Sequence, residues 1–198
     1  MIIPKSFELL TKNFEILPGV GEKTAERYTY SLEKKDIEEI ENFVDAIVNF
    51  KKTIKRCSIC NCLSDDDICP VCSDNERNNG VICVVEDSKT AFSIDKTNKY
   101  RGRFFVLNGL ISPIDGVNPE DINIGKLVNT IGGDTKEVII ALNPSIVGEV
   151  TSLYIQKKLE NKGVKVSRLS YGIPLGSDID YLDPLMISKA LDDRKTMS

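Results

Sequence analysis

Hydrophobic residues recur at helical spacing in the first 56 residues of the chain, whereas after residue 80 they form short continuous or alternating runs. The first pattern predicts a short helix over residues 6–13, a second over 22–33 and a long third helix over 36–56. The third helix has acidic residues in its first turns and basic residues in its last, as the helix dipole favours. The N-terminal part of the chain is therefore expected to be helical.

The runs after residue 80 predict a different architecture. Strands are predicted over residues 81–85, 103–107, 138–142 and 164–169, separated by helices over about 88–96, 120–130 and 148–162. This alternation indicates a mainly parallel sheet with helices on both faces, so an α/β domain is expected to follow the helical part. A terminal helix is predicted over residues 185–191, in a tail expected to pack on its own domain or on a second subunit.

Two glycines, Gly19 and Gly21, separate the first two predicted helices. Without Cβ atoms the backbone can turn tightly here and its amides can approach a phosphate, to which the N-terminus of the second helix adds partial positive charge. Lys23 and Arg27 follow on one face of that helix and can pair with neighbouring phosphates. The pattern predicts a helix-hairpin-helix DNA-binding motif, and the alternative is a plain helical turn with a glycine cap. A P-loop is rejected because its glycine and lysine spacing is not met.

Five of the six cysteines fall within sixteen residues, between the helical part and the α/β part. Cys57 with Cys60, and Cys69 with Cys72, form two Cys-x-x-Cys pairs, the spacing at which two thiolates point at one tetrahedral zinc ion. Cys62 is an additional thiol that could replace Cys60 as a ligand, although Cys60 has the better spacing. Three consecutive aspartates between the pairs carry the wrong charge for a DNA-facing surface, so the predicted zinc site is structural.

Acidic residues follow two of the predicted strands. Glu86 comes directly after the first, and Glu149 lies where a helix begins after the third. Because the carboxyl ends of parallel strands carry the site in such sheets, the two acids could share a Mg²⁺ ion. The alternative is that Glu149 only favours a helix N-terminus and Glu86 is a solvated loop residue. From the residues alone, both interpretations stay open.

The amino-acid composition excludes several classes of enzyme. The chain contains no histidine, which excludes Ser-His-Asp and Cys-His catalysis and histidine-based metal hydrolases. The 26 basic and 30 acidic residues give no indication of a nucleic-acid partner from net charge alone. No stretch approaches the roughly eighteen apolar residues of a membrane span, and the first residues are too polar for a signal peptide, so a cytosolic protein is expected.

The order of motifs along nearly the whole chain resembles the RecR family of bacterial recombination mediators. The carrying segments are residues 17–21, 69–74, 82–86, 107–116 and 172–178, together with the four-cysteine pattern, which ends inside the second segment. The resemblance implies a helix-hairpin-helix region, a zinc finger of four cysteines, a Toprim α/β domain and a C-terminal Walker-B-like segment. The corresponding domain boundaries are 1–56 for the DNA-binding region, 57–72 for the zinc finger, 80–175 for the Toprim domain and 172–198 for the Walker-B-like and oligomerisation segment.

The resemblance also implies a non-enzymatic function. Proteins of this family form dimers that assemble into a ring-shaped tetramer able to clamp DNA, and they act with RecO and RecF to load a recombinase on single-stranded DNA. For this chain it implies one structural zinc per chain, DNA contacts by Lys23 and Arg27, and a cytoplasmic, nucleoid-associated location. Val147 departs from the family, which usually has an acid there, so Glu86 and Glu149 lack a companion. The competing hypothesis is a Mg²⁺-dependent Toprim enzyme of the primase or nuclease type.

Overall fold

A computed structural model describes residues 3–170, 172–173, 176–194 and 196. The chain divides into two compact units, Met1–Ile54 and Lys55–Ser198. The four-cysteine segment therefore shares one compact unit with the α/β domain.

The first unit contains three helices: α1 Lys5–Glu15, α2 Glu22–Glu33 and α3 Ile37–Thr53. The sequence predicts their ends to within two residues, except that α3 ends at Thr53 rather than Arg56. The backbone leaves the helix there because Lys55–Arg56 pairs as a strand with Leu63–Ser64. Asp36 begins α3 by accepting a 2.8 Å hydrogen bond from the Glu39 amide, the N-cap contact that its position predicts.

Helices α1 and α2 pack against each other through a small mixed core. At one end the rings of Phe14 and Tyr28 meet edge to face, with centroids 5.6 Å apart, and at the other Phe7 packs on Tyr30 at 4.7 Å. Between these aromatic pairs, the buried side chain of Thr11 forms a 3.0 Å hydrogen bond with that of Thr29. Thr29 Oγ1 also donates to the Ala25 carbonyl at 3.1 Å, so the hydrogen bond between the two threonines provides the partner of the buried Thr11 hydroxyl.

Helix α3 has an apolar stripe that the structure leaves uncovered. None of its residues is buried, and its exposed large apolar side chains are Ile37, Phe43, Val44, Ile47, Val48 and Phe50. An exposed apolar stripe of this length is uncommon on a monomer and is typical of a surface that binds another protein.

The second unit is built on a four-stranded parallel sheet of order β4-β3-β5-β6, preceded by a two-stranded ribbon, β1-β2. Its strands are β1 Lys55–Arg56, β2 Leu63–Ser64, β3 Val81–Val85, β4 Arg103–Val106, β5 Glu137–Ala141 and β6 Lys165–Arg168. Its helices are α4 Pro70–Ser73, α5 Ser88–Asp95, α6 Ile124–Thr130, α7 Ile146–Leu159 and α8 Pro184–Asp192. The predicted parallel sheet with helices on both faces is confirmed.

Side chains alternate along the strands and so build a separate core on each face of the sheet. On one face Val84 and Phe105 pack with Leu127 of α6 and Ile155 of α7. On the other face Val85, Phe104 and Val106 pack with α5 and with the cysteine cluster. The cluster is thus part of the hydrophobic core of the sheet, and the protein has three layers here: cysteine cluster with α5, sheet, and α6 with α7.

The C-terminal tail continues from β6 through a 3₁₀ turn, Ile179–Tyr181, to α8. Residues 174 and 175, within the predicted Walker-B-like segment, lie outside the described residues, and that interpretation of the tail is not confirmed. The terminal helix is present, one residue longer at each end than predicted.

Candidate metal centre and nucleic-acid interface

The two Cys-x-x-Cys pairs fold as tight turns. In the first turn the Asn61 amide donates to the Cys57 carbonyl at 3.0 Å. In the second, at the start of α4, the Cys72 amide donates to the Cys69 carbonyl at 2.9 Å. The Cys69 amide also donates to Cys57 Sγ at 3.3 Å, so the second turn already supplies a hydrogen bond to a sulfur of the first.

The four sulfur atoms have the geometry that zinc requires. The Sγ atoms of Cys57, Cys60, Cys69 and Cys72 all lie within 4.8 Å of one another, and the four residues are buried. Cys60 Sγ and Cys69 Sγ are 3.6 Å apart. A tetrahedron with Zn–S bonds of about 2.3 Å has sulfur–sulfur edges of about 3.8 Å, so the quartet is close to the size of a zinc-thiolate site. These residues fit a zinc ion.

Electrostatics explain why this quartet needs a cation. Hydrogen bonds from the Cys60 and Cys72 thiols lower the pKa of Cys69, while contacts with Cys62 and Cys69 raise the pKa of Cys60 far above its usual value. One thiolate is therefore stabilised only because its neighbours keep their protons. All four sulfurs can ionise together only when a divalent cation balances their charge.

The first cysteine turn is joined to the edge of the sheet by its backbone. At the last paired residue of β4, the Val106 amide donates to the Cys60 carbonyl at 2.8 Å. Asn61 adopts a left-handed conformation, with φ of 63°, and its side-chain amide donates to the Val106 carbonyl at 3.0 Å. Asparagine tolerates this backbone conformation better than most residues, which accounts for its place directly after the turn.

The second cysteine turn is held by an arginine from the sheet. Arg103 Nη2, at the start of β4, donates to the Cys72 carbonyl at 3.0 Å. Sequence analysis missed both Arg103 and Asn61 as supports of the metal centre. The signal for Asn61 was present, since an asparagine directly after a tight turn favours a left-handed position, whereas nothing local marks Arg103.

Cys62 is buried beside the quartet but is not one of the four sulfurs that lie within ligand distance of each other. Its pKa is lowered to about 7, mainly by a hydrogen bond from the Cys60 thiol and further by one from Ser88. Ser88 Oγ also accepts a 2.9 Å hydrogen bond from the Leu63 amide. The geometry therefore favours Cys60 over Cys62 as the fourth ligand, and gives Cys62 a polar environment next to α5.

The carboxyl edge of the sheet holds the two acids that sequence analysis singled out. Glu86 accepts a 3.1 Å hydrogen bond from Asn143 Nδ2. Glu149 accepts from Lys189 Nζ at 2.9 Å and from Arg168 Nη1, which lies 3.4 Å from each carboxylate oxygen.

The residues at this edge do not fit the Mg²⁺ ion that a Toprim fold implies. Val147 provides no ligand, and cations of the protein already contact Glu149. Mg²⁺ needs oxygen ligands around an octahedron and an uncompensated negative charge to bind. Glu149 does not supply that charge, and the Val147 side chain supplies no oxygen.

The hairpin between α1 and α2 has an open, uncapped helix N-terminus. Gly19 has φ of +79°, a left-handed conformation that glycine adopts freely, whereas Gly21 is extended with φ of −90° at the N-cap of α2. A Cβ atom at either glycine would meet nothing within 4 Å, and no side chain caps the helix. The first amides of α2 are therefore accessible to an anion such as a phosphate.

The two basic residues after the hairpin are exposed on α2. Lys23 and Arg27 are one turn apart, and in the described part of the chain neither forms an ion pair with an acidic side chain. The Arg27 guanidinium lies 5.7 Å from the centre of the Tyr28 ring, which restrains its direction. These side chains and the hairpin amides belong to one short segment and can contact the same stretch of backbone phosphates.

Comparison with known families finds three matches, which together cover most of residues 7–170. Residues 7–51 match the RecR helix-hairpin-helix family, residues 54–74 match the RecR zinc finger domain of four cysteines, and residues 80–170 match the Toprim domain. Fold and site thus define a zinc-containing, DNA-binding Toprim protein. The three matches in this order are the RecR architecture, and the chain belongs to the RecR family.

This assignment confirms several predictions. The zinc finger match and the quartet of sulfurs together confirm zinc as the structural cofactor. The family supports a role in recombination and DNA repair, and its helix-hairpin-helix domain supports DNA binding. Among the described helices, none is long and apolar enough to cross a membrane.

Proposed function

We propose that this protein is a DNA-clamping recombination mediator in which the α1–α2 hairpin contacts the phosphate backbone. The observation that carries the proposal is the uncapped N-terminus of α2, with Gly19 before it and Lys23 and Arg27 after it. Amides and side chains of this kind contact phosphates without reading bases, so binding should depend on salt and little on sequence. In the cell the protein would act in the cytoplasm, on the nucleoid.

Charge reversal tests the hairpin. Changing Lys23→Glu and Arg27→Glu together should abolish measurable binding to single- and double-stranded oligonucleotides at physiological salt. The matched control is Lys126→Glu with Lys162→Glu, which changes net charge equally at exposed positions of the other unit. Milder changes to Gln at both hairpin positions should lower the slope of log affinity against log salt by about 2 for duplex DNA, since each phosphate contact contributes about 0.9. Equal affinities for the hairpin and control variants would contradict the proposal.

We further infer that the protein works as a homo-oligomer, a dimer that assembles into a ring-shaped tetramer. The exposed apolar stripe of α3 supports this, because a second copy of the same chain would cover side chains such as Phe43, Ile47 and Phe50. Light scattering should give a mass of four chains at micromolar concentration. Ile47→Asp should give a smaller species with unchanged zinc content, and a strict monomer without substitution would contradict the ring.

The partners proposed are RecO, RecF and single-stranded DNA coated by its binding protein, on which the complex would load a recombinase. Support comes from family membership. A loading assay with the purified partners tests this function. The Lys23→Glu, Arg27→Glu protein should fail in it while still binding RecO, which separates DNA contact from partner contact.

We propose that the Toprim domain acts here without catalysis. The support is the carboxyl edge of the sheet, where Val147 replaces an acid and Glu149 pairs with Lys189 and Arg168. An assay for metal-dependent cleavage or synthesis of DNA should show no activity in the unaltered protein. Activity that disappears in Glu86→Gln would instead favour an enzyme.

A further inference from the structure

Glu149, in the first turn of α7, is the point where three elements of the second unit meet. Lys189 Nζ, from α8, lies 2.9 Å from its Oε1 atom, and Arg168 Nη1, from the end of β6, lies 3.4 Å from both oxygens. The side chains of Glu149 and Lys189 are 29% and 26% exposed. This pair is therefore partly shielded from solvent, so water screens it less than it screens an ordinary surface ion pair.

Helix α8 lines one side of a cavity of about 570 Å³ at the carboxyl edge of the sheet. Leu142 and Leu169 from the sheet side and Met186 from α8 line this cavity, together with Lys189. Apolar side chains that face a cavity forgo part of their packing energy. The ion pair between Lys189 and Glu149 therefore contributes a larger fraction of the energy that docks α8 on the domain than it would if α8 lay on a tightly packed core.

The family implies a divalent cation at this edge, and the residues present do not accommodate one. Glu149 stands where a Toprim enzyme places an acid of its metal site, Val147 removes a neighbouring acid, and Glu86 is engaged by Asn143. The positive charge that would come from Mg²⁺ comes instead from an ammonium and a guanidinium of the same chain.

We propose that Lys189 is a built-in cation that takes the place of the divalent metal at Glu149 and thereby latches the C-terminal helix onto the Toprim sheet. A metal ion and α8 then compete for the same carboxylate. In this arrangement Glu149 anchors the C-terminal helix and does not bind a metal. The carboxylate therefore has a structural role in a protein without Toprim catalysis. The inference rests on the geometry at Glu149 and is independent of DNA binding by the α1–α2 hairpin.

Binding of Mn²⁺, followed by electron paramagnetic resonance on zinc-loaded full-length protein, tests the proposal. Mn²⁺ prefers oxygen ligands and leaves the thiolate site to zinc. Lys189→Met should bind Mn²⁺ at least about tenfold more tightly than the unaltered chain, because the nearer of the two cations that contact Glu149 is gone and only Arg168 remains. Lys189→Arg should behave like the unaltered chain, and so should the control Lys162→Met, which removes an exposed lysine of the same unit.

Two further measurements separate a latch from a simple surface ion pair. Adding Glu149→Gln to Lys189→Met should abolish the gained Mn²⁺ binding. Hydrogen exchange of residues 184–192 should accelerate about fivefold in Lys189→Met and be unchanged in Lys162→Met, since a partly buried ion pair contributes about this factor to a local opening equilibrium. Equal Mn²⁺ affinity with and without Lys189, or a gain that survives Glu149→Gln, would overturn the proposal, and so would unchanged exchange in α8.

Discussion

The cysteine quartet and Glu149, at the carboxyl edge of the sheet, lie in the same compact unit, but their negative charges are balanced in different ways. The four sulfurs are buried and lie within 4.8 Å of one another, and the described residues place no lysine or arginine in ion-pair contact with them. Glu149 is only partly buried and accepts from Lys189 and Arg168. The first centre requires an external cation, whereas the second has two cations from the protein.

If Lys189 takes the place of a metal at Glu149 as proposed, one compact unit uses a metal ion at one centre and its own cations at the other. A thiolate site in a core cannot be neutralised by lysine without burying further charge, so zinc is the more favourable solution. A carboxylate at the rim of a sheet can be reached by long basic side chains that keep contact with water. Burial and ligand type, rather than acidity alone, decide whether a metal is needed.

Removal of one zinc ligand should have the largest effect. Cys69→Ser should lower the zinc content from one ion per chain to none and the free energy of unfolding of the Lys55–Ser198 unit by roughly 5 kcal/mol or more, because zinc binding to thiolates is itself folding energy. Zinc analysis and denaturant unfolding followed by circular dichroism measure both quantities.

The matched control for Cys69→Ser is Cys83→Ala. Cys83 lies in β3, is buried in the same core as the quartet, and burial raises the pKa of its thiol to about 12, so it stays a small apolar group. This variant should keep its zinc and lose about 1–2 kcal/mol, as for a small core truncation. Zinc loss in Cys83→Ala, or full stability in Cys69→Ser, would contradict the structural role of the quartet.

Much of this architecture could be predicted from sequence because it depends on local patterns. The run of apolar residues at 81–85 is β3, and the two Cys-x-x-Cys pairs identify a zinc site through spacing alone. Strand alternation also predicts the parallel sheet. Local sequence patterns were sufficient to predict those elements whose structure depends on residues close to one another in the chain.

The arginine and the lysine that support the two centres could not be predicted, since their contacts depend on tertiary neighbours. Arg103 reaches Cys72 over 31 positions, and Lys189 reaches Glu149 over 40. Both contacts depend on the strand order and on where the tail folds back, which no periodicity reveals. The prediction of helix at Lys55–Arg56 is wrong for the same reason, because the strand's partner Leu63–Ser64 lies beyond the first cysteine turn.

Substitution of Cys62 should have an effect of intermediate size on stability, and it tests which sulfurs of the cysteine cluster bind zinc. Cys62→Ser should keep one zinc per chain and lose about 1–2 kcal/mol, the usual loss when a buried polar contact is disturbed. Cys60→Ser, two residues away and equally conservative, should lose the zinc. Zinc analysis of the two variants side by side decides which sulfur is the ligand, and the reverse result would assign Cys62 instead of Cys60.

Removal of the negative charge of Glu149 should have a smaller effect on the free energy of unfolding. Glu149→Gln should leave zinc content unchanged and lower the free energy of unfolding by about 1 kcal/mol at most, because partly exposed ion pairs contribute little. Glu160→Gln, at an exposed position after α7, serves as the control and should be neutral. If Glu149→Gln destabilised the unit as strongly as Cys69→Ser, the two centres would not differ in the way described.

Substitution of Glu137 should have the smallest effect on the free energy of unfolding. This effect should depend on pH, because Glu137 is a carboxylate whose charge is balanced by a lysine of the protein. Ser167 Oγ donates to its carboxylate, and Lys165 Nζ lies 3.1 Å from it; the hydroxyl first and the lysine second lower the pKa of Glu137. A carboxyl group with a lowered folded pKa stabilises the protein above its unfolded pKa of about 4.3, and this contribution disappears as pH falls through the folded pKa.

The difference in unfolding free energy between the unaltered protein and Glu137→Gln should therefore be a few tenths of a kcal/mol at pH 7 and approach a small constant below about pH 3. Acid also protonates the thiolates and releases zinc, but it does so in both proteins, so the difference isolates the carboxylate. A difference that stays the same from about pH 7 to about pH 2.5 would show that Glu137 contributes through packing and not through charge.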